Sequence, residues 1–165
     1  MSMAYQVAVC GPRDCSEVEA AQAYRIGSLL ADEGAVVLCG GGAGVMAAVA
    51  AGARSRDGIV VGIRPDDRDA GAPADLTATV LTNMGQARNA IIVTSADAVI
   101  AVGGSWGTLS EVAFAMRRGD IPVVWIGGWQ FLDASGVPVA GPTTVDTPET
   151  AVRLALEGAS RRRLT

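Results

Sequence analysis

Short apolar runs alternate with stretches of helical period along almost the whole chain. Residues 5–10 (YQVAVC) are almost continuously apolar and are closed by Gly11-Pro12, which predicts a buried strand running into a loop. Ser16 with Glu19 spells a capping box, after which Ala20, Ala23, Ile26, Leu29 and Leu30 recur at helical spacing until Gly34. Residues 35–39 (AVVLC) read as a second strand, and residues 40–53 (GGGAGVMAAVAAGA) as a glycine turn entering a helix. Residues 58–63 read as a third strand, 64–79 as a polar loop and 84–94 as a helix. Residues 98–102 (AVIAV) predict a fourth strand, 103–107 (GGSWG) a second glycine turn, 108–118 a helix and 121–126 a fifth strand. Residues 127–145, with Pro138 and Pro142, read as a loop or hairpin. A last helix over 147–158 carries Pro148 in its first turn, and 161–165, with Arg161-Arg162-Arg163, read as a flexible charged tail.

Strands that are apolar on both faces and alternate with helices imply a parallel sheet covered on each side. The expected fold is therefore α/β, a doubly wound, Rossmann-like sheet with helices on both faces. The length, 165 residues, suits a single domain.

Composition narrows the chemistry. The 13 basic residues are all arginine, and histidine is absent. Imidazole bases, Ser-His-Asp triads, histidine-ligated metals and pyridoxal phosphate anchored on lysine are excluded. With 17 acidic residues the net charge is −4, which argues against binding nucleic acid or an anionic membrane through a general field. Cys10, Cys15 and Cys39 lack metal-ligand spacing, and no signal-like or long apolar segment is present, so a cytoplasmic protein without a metal is expected. Cys10 and Cys39 end apolar runs, as small buried hydrophobes or as reactive thiols.

In doubly wound sheets ligands bind beyond the carboxyl ends of the strands, where both glycine turns fall. Each turn places bare backbone N–H groups at a helix start, suited to a phosphate, although such glycines also serve simply to make tight turns. Residues 42–47 fit the dinucleotide fingerprint, but the acid expected about 20 residues later is replaced by Ile63-Arg64, which discounts NAD. The second turn combines Gly103, Gly104, Ser105, Trp106, Gly107 and Thr108 with Glu111, and Arg88 stands on the preceding helix. Glu111 is either a carboxylate facing ligand or the acid of a Thr108-x-x-Glu111 capping box. Arg88 is either a phosphate clamp or a surface ion pair, and Trp106 either a platform for a base or pterin ring or a core or interface aromatic. No general acid is identifiable; Arg13, Asp14 and Asp97 stand near strand ends.

Over about residues 7–126 these motifs resemble the Lonely Guy (LOG) phosphoribohydrolases of the SLOG superfamily. Their relatives were long labelled "possible lysine decarboxylase" and include molybdenum cofactor carriers and bacterial proteins related to the DNA-processing protein Smf. The family's GGG-x-x-G-x-M is matched by Gly40-Gly41-Gly42-Ala43-Gly44-Val45-Met46 with one residue fewer. Its arginine after a helix-opening methionine is matched by Arg88 after Met84, and its P-G-G-x-G-T-x-x-E by residues 103–111.

The resemblance implies hydrolysis of the N-glycosidic bond of a nucleoside 5′-monophosphate, with Arg88 and Glu111 catalytic. Gly41, Gly42, Gly44, Met46 and residues 103–108 would hold the phosphorylated ligand, with no cofactor, in a homodimer or homotetramer. Gly103 for the motif proline, Ser105 for a glycine, and the missing histidine and lysine around Arg88 lean toward the carrier branch. The alternative function is thus a non-catalytic carrier or sensor of molybdenum cofactor or another nucleotide-like ligand. The decarboxylase label does not suit a chain without lysine.

Overall fold

The computed structural model describes residues 3–164. Seven strands form one parallel sheet: β1 (Gln6–Cys10), β2 (Val36–Cys39), β3 (Ile59–Arg64), β4 (Ala78–Leu81), β5 (Ala98–Val102), β6 (Val123–Ile126) and β7 (Thr143–Val145). Their order is β4-β3-β2-β1-β5-β6-β7. Helices α1 (Glu17–Asp32), α2 (Val45–Arg54) and α5 (Pro148–Arg163) pack on one face, and α3 (Asn89–Ser95) and α4 (Trp106–Arg118) on the other. The doubly wound α/β expectation holds, and the sheet's central strands are buried on both sides, as their unbroken apolar sequence requires.

The capping box of α1 forms as read: the Glu19 carboxylate accepts from the Ser16 backbone N–H at 2.7 Å, and the Ser16 hydroxyl accepts from the Glu19 N–H at 3.2 Å. Other boundaries move. The polar stretch after β3 ends in a short edge strand, β4, and the expected hairpin region ends in another, β7, with a single antiparallel bridge, Leu132 to Pro138, inside it. The helix expected over 84–94 is instead a 3₁₀ turn, Gly85–Arg88, followed by α3, with Gly85 at φ 55°.

The flexible tail expected over 161–165 is corrected for residues 161–163, while Thr165 lies outside the described residues. Residues 161–163 are the last turn of α5. Arg163 donates to Asp97 at 2.7 Å and to the carbonyl of Ala4 at 3.0 Å, and its guanidinium lies 4.1 Å from the Tyr5 ring centre. Arg162 reaches Asp120 at 3.0 Å and Asp97 at 3.5 Å. Asp97 also accepts the Gln6 N–H at 3.0 Å, so this charged cluster ties the chain's end to the amino edge of the sheet. Among the described residues no helix is long and apolar enough to cross a membrane.

Candidate functional site

The winding reverses between β1 and β5, because the chain runs from β1 outward through β2 to β4 and then returns to β5 on the other side. Carboxyl-end loops diverge at such a point and leave a crevice. A cleft of about 500 Å³ opens there. The turn after β2 gives it Gly40, Gly41, Gly42 and Met46; the α4 turn gives Ser105, Trp106, Gly107, Ser110 and Glu111. The 3₁₀ turn and α3 add Gln86, Arg88 and Asn89, the loop after β1 adds Arg13, and the end of β3 and the loop beyond it add Arg64 and Asp66.

Arg88 is buried, not a surface ion pair. Its guanidinium donates to the Gly40 carbonyl at 3.4 Å and to the Asn89 side chain, and Asn89 in turn donates to Ser110 at 2.8 Å. That network fixes the side chain across the cleft wall. Burial lowers the Arg88 pKa, opposed by the attraction of Glu111.

Glu111 is 7% exposed and faces the same space. Burial pushes its pKa up to about 7, while Arg88 and a hydrogen bond with Cys10 pull it down. It caps nothing. Ser105 is the N-cap of α4, its hydroxyl accepting from Thr108 N–H at 3.1 Å, which leaves Thr108 inside the helix and Glu111 in its second turn. The two predicted residues, on separate helices in the sequence, therefore meet in one cleft. Cys10 and Cys39 are buried and free; burial raises both thiols, Cys39 to about 11, the behaviour of small hydrophobes.

Trp106 is 79% exposed at the rim and meets Trp129 edge-on, with ring centres 5.4 Å apart. It is not a core aromatic. Four predicted contacts lie behind the wall instead. Gly44 starts α2 at φ 66°, where a Cβ would stand 2.2 Å from the Arg13 carbonyl oxygen. Gly103, at φ 62°, gives its carbonyl to the Trp125 indole N–H at 2.6 Å, and the Trp129 indole covers Gly104. Thr108 is buried and bonded to Ser105. For these residues the tight-turn role is what the structure displays.

Arg64, Asp66, Gln86, Asn89 and Ser110 line the cleft without having been singled out for chemistry, and Arg13 joins them. Position at a strand's carboxyl end was the available signal for Arg13 and Arg64. Asp97, also near a strand end, lies at the opposite edge and serves packing.

Residues 4–151 match the model of the SLOG cluster4 family. The chain belongs to this family. A relative from Archaeoglobus fulgidus, an uncharacterized protein, is 47% identical over 115 residues, 69% of this chain and 75% of that one. The molybdenum cofactor binding protein of Rippkaea orientalis is 30% identical, with a TM-score of 0.84 over 95% of this chain and 98% of its own. The molybdenum cofactor carrier protein of Chlamydomonas reinhardtii is 27% identical, with a TM-score of 0.78 over 96% and 99%. Within this SLOG member the serine that departs from the LOG-like turn has a physical use, as the cap of α4.

Proposed function

We propose that this protein binds and carries a phosphorylated, nucleotide-like small molecule in the cleft between β1 and β5, a cargo of the molybdenum cofactor class. One observation carries the reading: in a chain of net charge −4, three guanidinium groups, Arg13, Arg64 and Arg88, line a single cleft with bare glycine backbone and an exposed tryptophan. Guanidinium and free amides suit phosphate oxygens, and an indole face suits a flat heterocycle. The full-length likeness to molybdenum cofactor binding and carrier proteins supports the same cargo class. Calorimetric titration with molybdenum cofactor, handled anaerobically, and with AMP tests it. Saturable binding of at least one, with the ligand recovered intact, is expected; no heat from either contradicts it.

A second reading, hydrolysis of a nucleoside 5′-monophosphate, is favoured by Glu111. A leaving base builds positive charge on the ribose, and a carboxylate beside the ring stabilises that charge or activates water. Arg88 would orient the phosphate. With its pKa near 7, Glu111 gains the needed charge as pH rises through neutrality. Incubation with AMP should then release adenine and ribose 5-phosphate faster at pH 8 than at pH 6. Release equal to that of Glu111→Gln rejects turnover. We also propose a homodimer or homotetramer, supported by the half-exposed Phe114 and Met116 on α4; a monomer in light scattering contradicts it.

A further inference from the structure

Three arginines from distant parts of the chain meet over three consecutive glycines. Arg13 comes from the loop after β1, Arg64 ends β3, and Arg88 closes the 3₁₀ turn. A Cβ on Gly40 would stand 2.6 Å from Arg88 Nη2, one on Gly41 2.7 Å from Arg64 Cγ, and one on Gly42 3.5 Å from Arg13 Nη2. Gly40 and Gly41 thus each admit an arginine, while Gly42 makes room for Met46, whose Cε would stand 2.8 Å from a Cβ there, with Arg13 beside it. Two of the three are fixed by hydrogen bonds within the cleft wall: Arg64 donates to the Gly41 carbonyl, to Ala70 at 2.9 Å and to Asp66 at 3.1 Å, and Arg88 to Gly40 and Asn89.

What remains unmet on this wall calls for an anion. Arg64 and Arg88 are more than nine-tenths buried and the Nε–H of each lacks a hydrogen-bond partner, although that of Arg64 stands 4.0 Å from the Asp69 carboxylate. A buried donor without an acceptor is costly. Arg13 is exposed and pairs with no carboxylate among the described residues. An oxyanion over the glycines would pair with the exposed guanidinium of Arg13 and face those of Arg64 and Arg88, which line the same cleft.

The α4 turn offers less. The Ser105 hydroxyl already takes the Thr108 N–H, the Ser105 carbonyl takes the Leu109 N–H at 2.8 Å, and the Trp129 indole lies on Gly104. Its exposed residues are Trp106, with its aromatic face, and Gly107, which also lines the cleft.

We infer that the ligand's anionic group, of the phosphate monoester class, sits over residues 40–42 among Arg13, Arg64 and Arg88, and that its planar ring lies at Trp106. Arg13 and Arg64 become binding residues, and the ligand's orientation is set. The two ends stand on β2 and β5, which β1 separates, so roughly 10 Å of backbone spacing leaves room for a sugar-sized link. The inference rests on the binding reading above and adds the seat and direction of the ligand.

Inorganic phosphate and AMP titrated into the full, 15N-labelled chain test it by amide shifts. Phosphate should move the resonances of residues 40–42 and spare those of 104–108. Arg13→Gln, which removes an exposed side chain and leaves the core intact, should weaken both probes about ten-fold, the usual worth of a charge-assisted bond. Phosphate shifts centred on residues 104–108, with affinity unchanged in Arg13→Gln, would overturn the orientation and leave the binding reading standing. No cleft shift with either probe would overturn both.

Discussion

Replacing Glu111 by glutamine should make the protein more stable at pH 8 and much less so at pH 5.5. Burial raises the carboxyl's pKa from an ordinary 4.5 to about 7, so between these values the folded chain keeps a proton that the unfolded chain releases. Stability therefore falls as pH rises through that interval, and the loss is complete above about 7. Each pH unit across it is worth about 1.4 kcal/mol, which makes ionised Glu111 a burden of about 3 kcal/mol at pH 8 and about 1 kcal/mol at pH 5.5. Glutamine has nearly the same shape and cannot ionise. The variant should gain those amounts, which for a chain of this length is a rise in Tm on the order of 10 °C at pH 8. Thermal and urea unfolding of both proteins at the two pH values provide the assay. A difference independent of pH, or a variant less stable at pH 8, would show that Glu111 is stably ionised against Arg88, and the reasoning would fail. A carboxylate retained at such a cost is expected where ligand or chemistry uses it.

Other consequences follow from the same contacts. Asp97→Ala removes the acceptor of the Gln6 N–H and the partner of Arg162 and Arg163, and should cost about 1–3 kcal/mol in urea unfolding. Trp106→Ala should change stability by less than about 0.5 kcal/mol, since the side chain is exposed, yet weaken binding of AMP or molybdenum cofactor measurably in calorimetry. Gly44→Ala combines a positive φ with a backbone clash at 2.2 Å; a loss of several kcal/mol in thermal unfolding, or failure to fold, is expected.

The elements legible in the sequence were those whose own residues decide them. Continuous apolar runs gave β1, β2, β3, β5 and β6, and the Ser16 to Glu19 box started α1 where it was read. Edge strands β4 and β7 escaped because they are short and largely exposed, and are ordered by their neighbour's backbone, not by an apolar pattern. The end of α5 was read as a tail because its arginines find their partners, Asp97 and Asp120, more than 40 residues away. At the site, Arg88 and Glu111 stood out through motif spacing. Whether Glu111 closes a capping box with Thr108 was open in the sequence; the cap is Ser105, whose hydroxyl meets the Thr108 N–H and leaves Glu111 free to face the cleft. Arg13 and Arg64 carry no motif; only the strand order brings them over the same glycines.

The most direct measurement is a crystal structure of the protein grown with saturating AMP or molybdenum cofactor. Ligand density is expected in the β1/β5 cleft, with the phosphate against residues 40–42 and the ring beside Trp106. Density seated elsewhere on the molecule, with that cleft left to solvent, would contradict that placement.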